Sequence, residues 1–261
     1  MENRCLSCDA FLAEGASFCP RCGKAVGLFG ALNPPPLYPT AVKRRLGTAS
    51  WEDMKHVLGF YSLILGSSLF FGLLQWAKPG PIADVFDASV FIALVLGYLF
   101  RNWGGVAKVF RLRKPKARRL VELAIICVVV YFFLQFYFSA MEYFGWPMLK
   151  MTGPYTKAHW PLWSIFALIC LEPGVFEEIA FRGIIQTKLS HILSVREALF
   201  IQAALFSIMH LSPMIFVSHF VMGLFLGWVR LRTGHLYFGM LLHMAWNAMC
   251  VLQELKYMGG V

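Results

Sequence analysis

Two adjacent carboxylates and a guanidinium lie within a strongly apolar part of the sequence, at Glu177, Glu178 and Arg182. An ionised group placed in hydrocarbon costs about 2.5 to 3.5 kcal/mol on permissive insertion scales, so charges at such positions usually face a polar interior and mark function. In a helix, Glu178 and Arg182 share a face because they are four residues apart, whereas Glu177 points about 100° away. The spacing predicts an ion pair between Glu178 and Arg182 and leaves Glu177 available for chemistry. On this segment alone, a helix end at which both glutamates reach headgroup water is the alternative.

Three further polar residues follow in apolar segments downstream: His210, His243 and Asn247. His243 and Asn247 share one helix face because they are four residues apart. A carboxylate beside a histidine can take a proton from water, and a histidine with an asparagine can donate hydrogen bonds to a developing oxyanion. Glutamate and two histidines are also the ligand set of an open catalytic zinc site, so metal chemistry stays open at this point. His219 stands alone in its segment and is interpreted as a packing residue.

Four cysteines near the N-terminus form two Cys-x-x-Cys pairs, Cys5 with Cys8 and Cys19 with Cys22. This pattern predicts a structural zinc ion held by four thiolates in a zinc ribbon. Two disulfides or an iron site of the rubredoxin type are the alternatives; a reducing compartment disfavours the disulfides. A segment of about 24 residues cannot bury a self-sufficient core, so we expect metal binding to drive its folding.

The composition is that of a polytopic membrane protein rather than a soluble domain. Of 261 residues, 58% are hydrophobic and only 15% are charged, and the chain contains 24 Phe and 8 Trp. The net charge of +10 does not indicate nucleic-acid binding, because the basic residues fall in short runs beside apolar segments, where they set topology and meet anionic headgroups. The first eight residues contain no apolar signal-peptide core, so we expect the N-terminus to stay in the cytoplasm.

Apolar runs of about 20 residues predict membrane helices, because that length crosses the hydrocarbon core. Residues 108–119 form the densest positive cluster and mark the cytoplasmic side. We therefore expect an all-α protein of the plasma membrane with about seven transmembrane helices, preceded by the zinc ribbon, with its C-terminus outside. The predicted spans are residues 57–77, 82–103, 123–141, 198–211, 214–229 and 236–252, together with a fourth in chain order that begins near Trp160 and carries Glu177, Glu178 and Arg182 towards its cytoplasmic end.

The fourth predicted span contains Pro173 and Gly174, which predict a break in the helix beside the ionisable groups. A helix rises about 1.5 Å per residue, so Glu177 reaches the depth of His210 only if this helix continues to Lys188. We predict that extension. The expected domains are a zinc ribbon in residues 1–24, a Pro-rich linker in residues 25–50 and an intramembrane domain in residues 51–261.

The polar residues form a recognisable set of three motifs. Glu177-Glu178-x-x-x-Arg182, Phe206-x-x-x-His210 and His243-x-x-x-Asn247 resemble, in order, spacing and placement, the signature of the CPBP intramembrane proteases, relatives of the CAAX prenyl endopeptidase that trims prenylated proteins.

The resemblance covers residues 160–252 and includes the approach to the third motif, in residues 223–227 and 233–236. His235 departs from the small residue that the family usually has at this place, outside the catalytic positions.

This resemblance implies an all-helical membrane fold and hydrolysis of peptide bonds in membrane-associated substrates, including CAAX-like or prenylated ones. It implies that Glu177 and His210 activate water and that His243 and Asn247 form the oxyanion hole, without a required catalytic metal. Glu178 and Arg182 belong to the same predicted site. The ribbon resembles bacterial modules fused to many membrane proteins, which implies a sensing or docking role with a cytoplasmic partner.

Two other functions use the same residues. A member of the family without proteolysis could act as a membrane scaffold, a chaperone or a bacteriocin-immunity factor, and a transporter could use the groups as a proton relay. A pure scaffold has no physical need to keep Glu177, His210, His243 and Asn247 buried together. The polar set therefore favours the protease.

Overall fold

The computed structural model of the chain describes residues 48–77, 80–111, 117–146 and 150–257. The chain divides into two units, Met1–Gly47 and Thr48–Val261, and all described residues belong to the second. The four cysteines of the predicted ribbon, Cys5, Cys8, Cys19 and Cys22, and nearly all of the predicted linker lie outside the described residues, so the zinc site and the domain boundaries stay predictions.

Within the described residues the secondary structure is helical and contains no strand, as the sequence predicts. The α-helices are α1 (Thr48–Ala77), α2 (Pro81–Arg101), α3 (Trp103–Val106), α4 (Ala117–Tyr143), α5 (Gly153–Lys157), α6 (Leu162–Phe166), α7 (Glu172–Glu177), α8 (Gln186–Ile192), α9 (Val195–Met209), α10 (Phe216–Thr233) and α11 (Tyr237–Tyr257). Short 3₁₀-helices cover Ala107–Phe110 and Pro213–Ile215.

Four helices of the described part are long and apolar enough to cross a membrane, at Trp51–Ala77, Pro81–Arg101, Leu120–Tyr143 and Pro213–Thr233. Large apolar side chains are exposed on three of these helices, among them Phe70 of α1, Phe86 of α2 and Phe132 of α4. Such a surface suits lipid, whereas water-soluble monomers rarely expose large contiguous apolar patches. The chain is accordingly a multi-pass membrane protein, and the total of seven spans stays a prediction.

Residues 162–192 form one nearly continuous helical run, in which two π-helical segments interrupt the α-helix. A first π-helix, Ala167–Leu171, separates α6 from α7, and a second, Glu178–Ile185, separates α7 from α8. The predicted extension of this helix to Lys188 is confirmed, since α8 ends only at Ile192. The expected break at Pro173 is absent: the chain stays helical through this proline, which lies in α7 directly after the first π-helix, and its fixed φ suits a helix.

Helices α9 and α10 pack closely through the glycines of α10. A Cβ atom at Gly223 would lie 2.8 Å from Ala203 Cα, and one at Gly227 would lie 2.6 Å from Leu199 Cδ1. The close approach allows Gln202 Nε2 to donate to the Gly223 carbonyl at 2.7 Å. The small-xxx-small pair of α10 is thus a helix contact, as such pairs often are in membranes.

A capping box fixes the start of α9. The Ser194 hydroxyl accepts a hydrogen bond from the Glu197 N–H, and the Glu197 carboxylate accepts one from the Ser194 N–H. Hydrogen bonds with the side chain and backbone of Ser194 lower the pKa of the Glu197 carboxyl. Because both backbone donors are satisfied, the helix that carries His210 at its far end has a defined beginning.

Candidate active site

Glu178 and Arg182 form the ion pair that their spacing predicts. Arg182 Nη1 donates to Glu178 Oε1 at 2.8 Å, and the two side chains are 0% and 1% exposed. The guanidinium also lies over the Phe206 ring, 4.3 Å from its centroid, and Nη2 donates to the Gly223 carbonyl at 3.5 Å. Arg182 therefore ties the second π-helix to α9 and α10.

The same oxygen of Glu178 binds His243. His243 Nδ1 lies 3.1 Å from Glu178 Oε1, and its Nε2 lies 3.8 Å from Glu177 Oε2. An ionised carboxylate only accepts, so Nδ1 carries a hydrogen and Nε2 faces Glu177. Gly239 leaves room for Glu178, because a Cβ atom there would lie 2.9 Å from Oε2. The two adjacent glutamates thus differ in role: Glu178 holds Arg182 and His243, and Glu177 stays free of hydrogen bonds at Oε2.

Glu177 and His210 line one partly open cavity of about 400 Å³. No hydrogen bond or ion pair joins these two side chains within the part of the chain that the structure describes. His210 is the C-cap residue of α9, and its Nδ1 donates to the Phe206 carbonyl at 2.9 Å. In its neutral form His210 therefore has a free lone pair on Nε2.

The cavity also contains acidic side chains that lie outside the three sequence motifs. Tyr155 donates to Asp84 at 2.7 Å, and Asp87 and Glu172 complete the acidic lining. The available signal was the i, i+3 spacing of the two aspartates in α2, but only the packing of α2 against α7 shows that they face Glu177. Four carboxylates therefore share the cavity with His210.

Asn247 lies beside the first π-helix. Its Nδ2 donates to the Ile169 carbonyl at 2.9 Å. Pro173, four residues after Ile169, has no N–H for that carbonyl, which gives the hydrogen bond a local structural reason. A side-chain amide has two N–H donors, so one remains for a second acceptor.

His219 belongs to this region, although its isolated position in the sequence predicts a packing residue. Its ring centroid lies 3.9 Å from that of His210 and 6.0 Å from that of Phe206. Phe206 in turn contacts His243, with ring centroids 6.0 Å apart. A spacing of nine residues across a proline-containing turn carries no recognisable helical signal, so sequence reasoning could not join the two histidines.

Within residues 48–77, 80–111, 117–146 and 150–257, no three His, Cys, Asp or Glu side chains are arranged to hold a metal ion. Cys127, Cys170 and Cys250 are free thiols. Cys127 and Cys170 pack against apolar side chains of the core, as isolated cysteines in apolar segments usually do.

The fold and this site define a class of protein: a membrane protein whose described part is helical, with acid–base side chains around a partly open cavity. Residues 159–249 match the family described as "Type II CAAX prenyl endopeptidase Rce1-like". The match covers about a third of the chain and includes every predicted catalytic residue from Glu177 to Asn247. It supports the CPBP resemblance and a protease of the CAAX type. No curated protein and no solved structure matches the chain.

Proposed function

We propose that this protein is an intramembrane endopeptidase that hydrolyses peptide bonds of membrane-associated substrates, including CAAX-like or prenylated ones. The observation that carries the proposal is that Glu177 and His210 line one partly open cavity, with His243 Nε2 3.8 Å from Glu177 Oε2. Acid–base groups gathered around a cavity inside an apolar bundle favour a reaction with water.

In the proposed mechanism Glu177, assisted by Nε2 of His210, takes a proton from a water molecule in the cavity. The hydroxide attacks the scissile carbonyl carbon, and the C–O π electrons move to the oxygen. His243 Nε2–H and the second N–H of Asn247 stabilise this oxyanion. The oxyanion role requires a protonated His243, because Nδ1–H is committed to Glu178. The intermediate collapses with cleavage of the C–N bond, and the proton on Glu177 passes to the leaving amine.

The test compares native membranes that contain wild-type protein or the Glu177→Gln variant, with quantitative mass spectrometry of protein termini. Gln keeps the shape of the side chain but cannot accept the proton, so termini present with wild type should be lost. Glu52→Gln, an exposed glutamate in α1, is the matched control and should reproduce the wild-type termini. Identical termini with Glu177→Gln would contradict proteolysis and leave the scaffold or immunity function, which does not need the acid.

Asn247 provides a graded test of the same mechanism. Loss of one oxyanion donor typically costs about 10²- to 10³-fold in turnover, so Asn247→Ala should retain measurable activity where Glu177→Gln does not. Asn102→Ala is the matched control, because it also removes a side-chain donor to a backbone carbonyl, that of Tyr98. Full activity of Asn247→Ala would restrict Asn247 to its contact with Ile169.

We propose that Cys5, Cys8, Cys19 and Cys22 hold one structural zinc ion. Four thiolates are a complete ligand set, so this ion would organise the ribbon and leave no position for substrate or water. Cys5→Ser with Cys8→Ser should remove about one zinc per chain, measured by elemental analysis, and leave cleavage intact. Loss of all cleavage in a well-folded variant would show that the ribbon is not a separable docking module.

The variant with Cys5→Ser and Cys8→Ser also distinguishes activation of water by Glu177 from activation by a metal ion. In the proposed mechanism a chelator leaves the activity of this variant unchanged. If chelation abolishes cleavage and added zinc restores it, Glu177, His210 and His243 act as metal ligands, and the metalloprotease alternative replaces the glutamate mechanism.

A further inference from the structure

The cavity lies at one end of the helix bundle, where α1 ends and α2 begins; we call this the cavity end. In α1 the lining residues run from Ser68 to Gln75, and this helix ends at Ala77. In α2 they run from Ala83 to Phe91, within the first half of the helix. At about 1.5 Å of rise per residue, all of them lie within about 15 Å of the nearer end of their helix.

The other end of the bundle, the basic end, is joined by contacts that do not involve the cavity. Lys188 donates to Asp53 at 2.7 Å and so links α8 to the first turns of α1. The Leu236 N–H donates to the Val109 carbonyl at 3.1 Å and so links the start of α11 to the 3₁₀-helix that follows α3. Asp53 lies about 36 Å along α1 from Ala77, so the two ends are a membrane thickness apart.

Basic side chains are concentrated at the basic end. Apart from Arg182, which lies in the interior, the described ones at this end are Lys55, Arg101, Lys108, Arg111, Arg118, Lys188, Arg196, Arg230 and Arg232. At the cavity end the described ones are Lys150, Lys157 and Lys256. An excess of Lys and Arg marks the cytoplasmic side of a membrane protein. The distribution therefore predicts that the cavity end faces away from the cytoplasm.

Packing closes the path from Glu177 towards the basic end. Every residue from 178 to 187 is buried, whereas Glu172 and Glu177 before them keep part of their surface exposed. Val106 and Val109, which are 0% and 7% exposed, belong to the same apolar core. Protein interiors of this kind are close-packed and contain few voids larger than a water molecule. Water and a peptide therefore reach Glu177 from the cavity end.

We propose that the active-site cavity is entered from the extracytoplasmic face, and that the substrate is a membrane-anchored protein cleaved in or next to the outer half of its membrane anchor. This inference rests on the proposed function and names its substrate class. A peptide tail in the cytoplasm, prenylated or not, would meet the packed residues 178–187 instead of Glu177.

The depth of Glu177 explains why the cleaved bond belongs to the membrane anchor. Trp163 is 73% exposed at the start of α6, as is typical of the aromatic belt at a membrane surface. Glu177 lies about 21 Å further along the helical run, at 1.5 Å per residue. The hydrocarbon core is about 30 Å thick, so Glu177 lies well inside it. The scissile bond must reach that depth from the outer face.

The entrance is tested by labelling single-cysteine additions to the full-length protein in intact cells with a membrane-impermeant maleimide. Gly72→Cys adds a thiol to the cavity wall, where a Cβ atom meets no neighbour, and should be labelled severalfold above wild type, which gives the background of the native cysteines. Gly66→Cys is the matched control on the lipid-facing surface of the same helix and should stay at background, because a thiol in lipid does not ionise. Lys55→Cys marks the basic end and should be labelled only after permeabilisation.

Three labelling results would overturn the inference. Labelling of both Gly72→Cys and Lys55→Cys only after permeabilisation would show that the cavity opens to the cytoplasm. Labelling of Lys55→Cys from outside and of Gly72→Cys only after permeabilisation would show the opposite topology. Background labelling of Gly72→Cys in both preparations would show a closed cavity. If Gly72→Cys fails to fold, Ser68→Cys on the same wall decides.

The comparison of termini tests the substrate class. Termini that disappear with Glu177→Gln should map in or next to the outer half of membrane anchors. If they map to cytoplasmic tails, the inference is wrong and the protein is still a protease. If no terminus depends on Glu177, the proposed function is wrong and the substrate class falls with it, whereas the labelling of Gly72→Cys still decides which face the cavity opens to.

Discussion

Arg182 is completely buried and has four kinds of contact: the Glu178 carboxylate, the Gly223 carbonyl, the face of Phe206 and the apolar side chains around them. Removing one partner of a buried pair leaves an uncompensated charge and typically costs about 3 to 5 kcal/mol. Because Glu178 also binds His243, the loss would extend from stability to the position of a predicted catalytic ring.

We therefore expect Arg182→Ala to lower both the unfolding temperature and the activity. Thermal unfolding in detergent measures the first effect. Cleavage of an internally quenched peptide, which spans the cleavage site found by the comparison of termini, measures the second. Lys55→Ala removes an exposed partner of Glu52 and should change neither, since surface pairs contribute little. If Arg182→Ala abolished activity without a change in stability, Arg182 would belong to the substrate site.

At the scale of the helices, the site depends on how closely α10 approaches α9, because α9 carries His210 and α10 carries His219. The closeness comes from Gly223, whose missing side chain lets the backbone of Ala203 approach. A methyl group at this position would meet backbone atoms, which cannot rotate away. The helices would have to separate, and the contact between the two histidine rings would open with them.

Gly223→Ala is accordingly expected to destabilise the protein by about 1 to 3 kcal/mol, the usual cost of overpacking. Gly97→Ala in α2 is the matched control: a Cβ atom there has no neighbour within 4 Å, and the lower entropy of the unfolded chain should leave stability unchanged or slightly raised. Thermal unfolding measures both variants. Equal stability of the two would show that α9 and α10 can separate at little cost.

At the scale of the whole molecule, the cavity brings together parts of the chain that are far apart in sequence. Its walls come from α1, α2, α5, the first π-helix, α7 and the end of α9. Gly72 of α1 lies on this wall, and a Cβ atom there would point into open space. A larger side chain at Gly72 can therefore fill the cavity without a backbone clash.

Gly72→Leu should block cleavage of the quenched peptide, chiefly by raising KM, and leave the unfolding temperature near that of wild type. Gly66→Leu is the matched control, because Gly66 is exposed on the same helix and also has no neighbour within 4 Å. Unchanged kinetics in Gly72→Leu would show that the substrate does not use this cavity.

Topology is the second property of the whole molecule. The basic residues 108–119 predict a cytoplasmic N-terminus and, with seven spans, a C-terminus outside. An alkaline phosphatase fused after Val261 should be active, and a fluorescent protein fused there should be dark if exported unfolded. The reverse result would overturn the count of seven. In that case the spans in doubt would be those predicted in residues 162–192, α9 and α11. The second predicted span would not be in doubt, because it is among the four described helices that are long and apolar enough to cross a membrane.

Much of this protein is determined by its sequence alone. Composition and apolar runs predict a helical membrane protein, because hydrocarbon forces backbone polar groups to pair within each helix. The spacing of four between Glu178 and Arg182 predicts their ion pair, because helix geometry alone places them side by side. The motifs around Glu177, His210, His243 and Asn247 indicated the region that the family match covers.

The tertiary structure decided the contacts between helices, which local periodicity does not specify. It assigned Glu178 rather than Glu177 as the hydrogen-bond partner of His243, and it brought Asp84, Asp87 and Glu172 to the cavity. It also showed a continuous helical run with π-helical turns instead of the expected break at Pro173, and it brought the ring of His219 against the ring of His210. Each of these depends on the rotation and separation of packed helices, which arise from side-chain fit across the whole bundle.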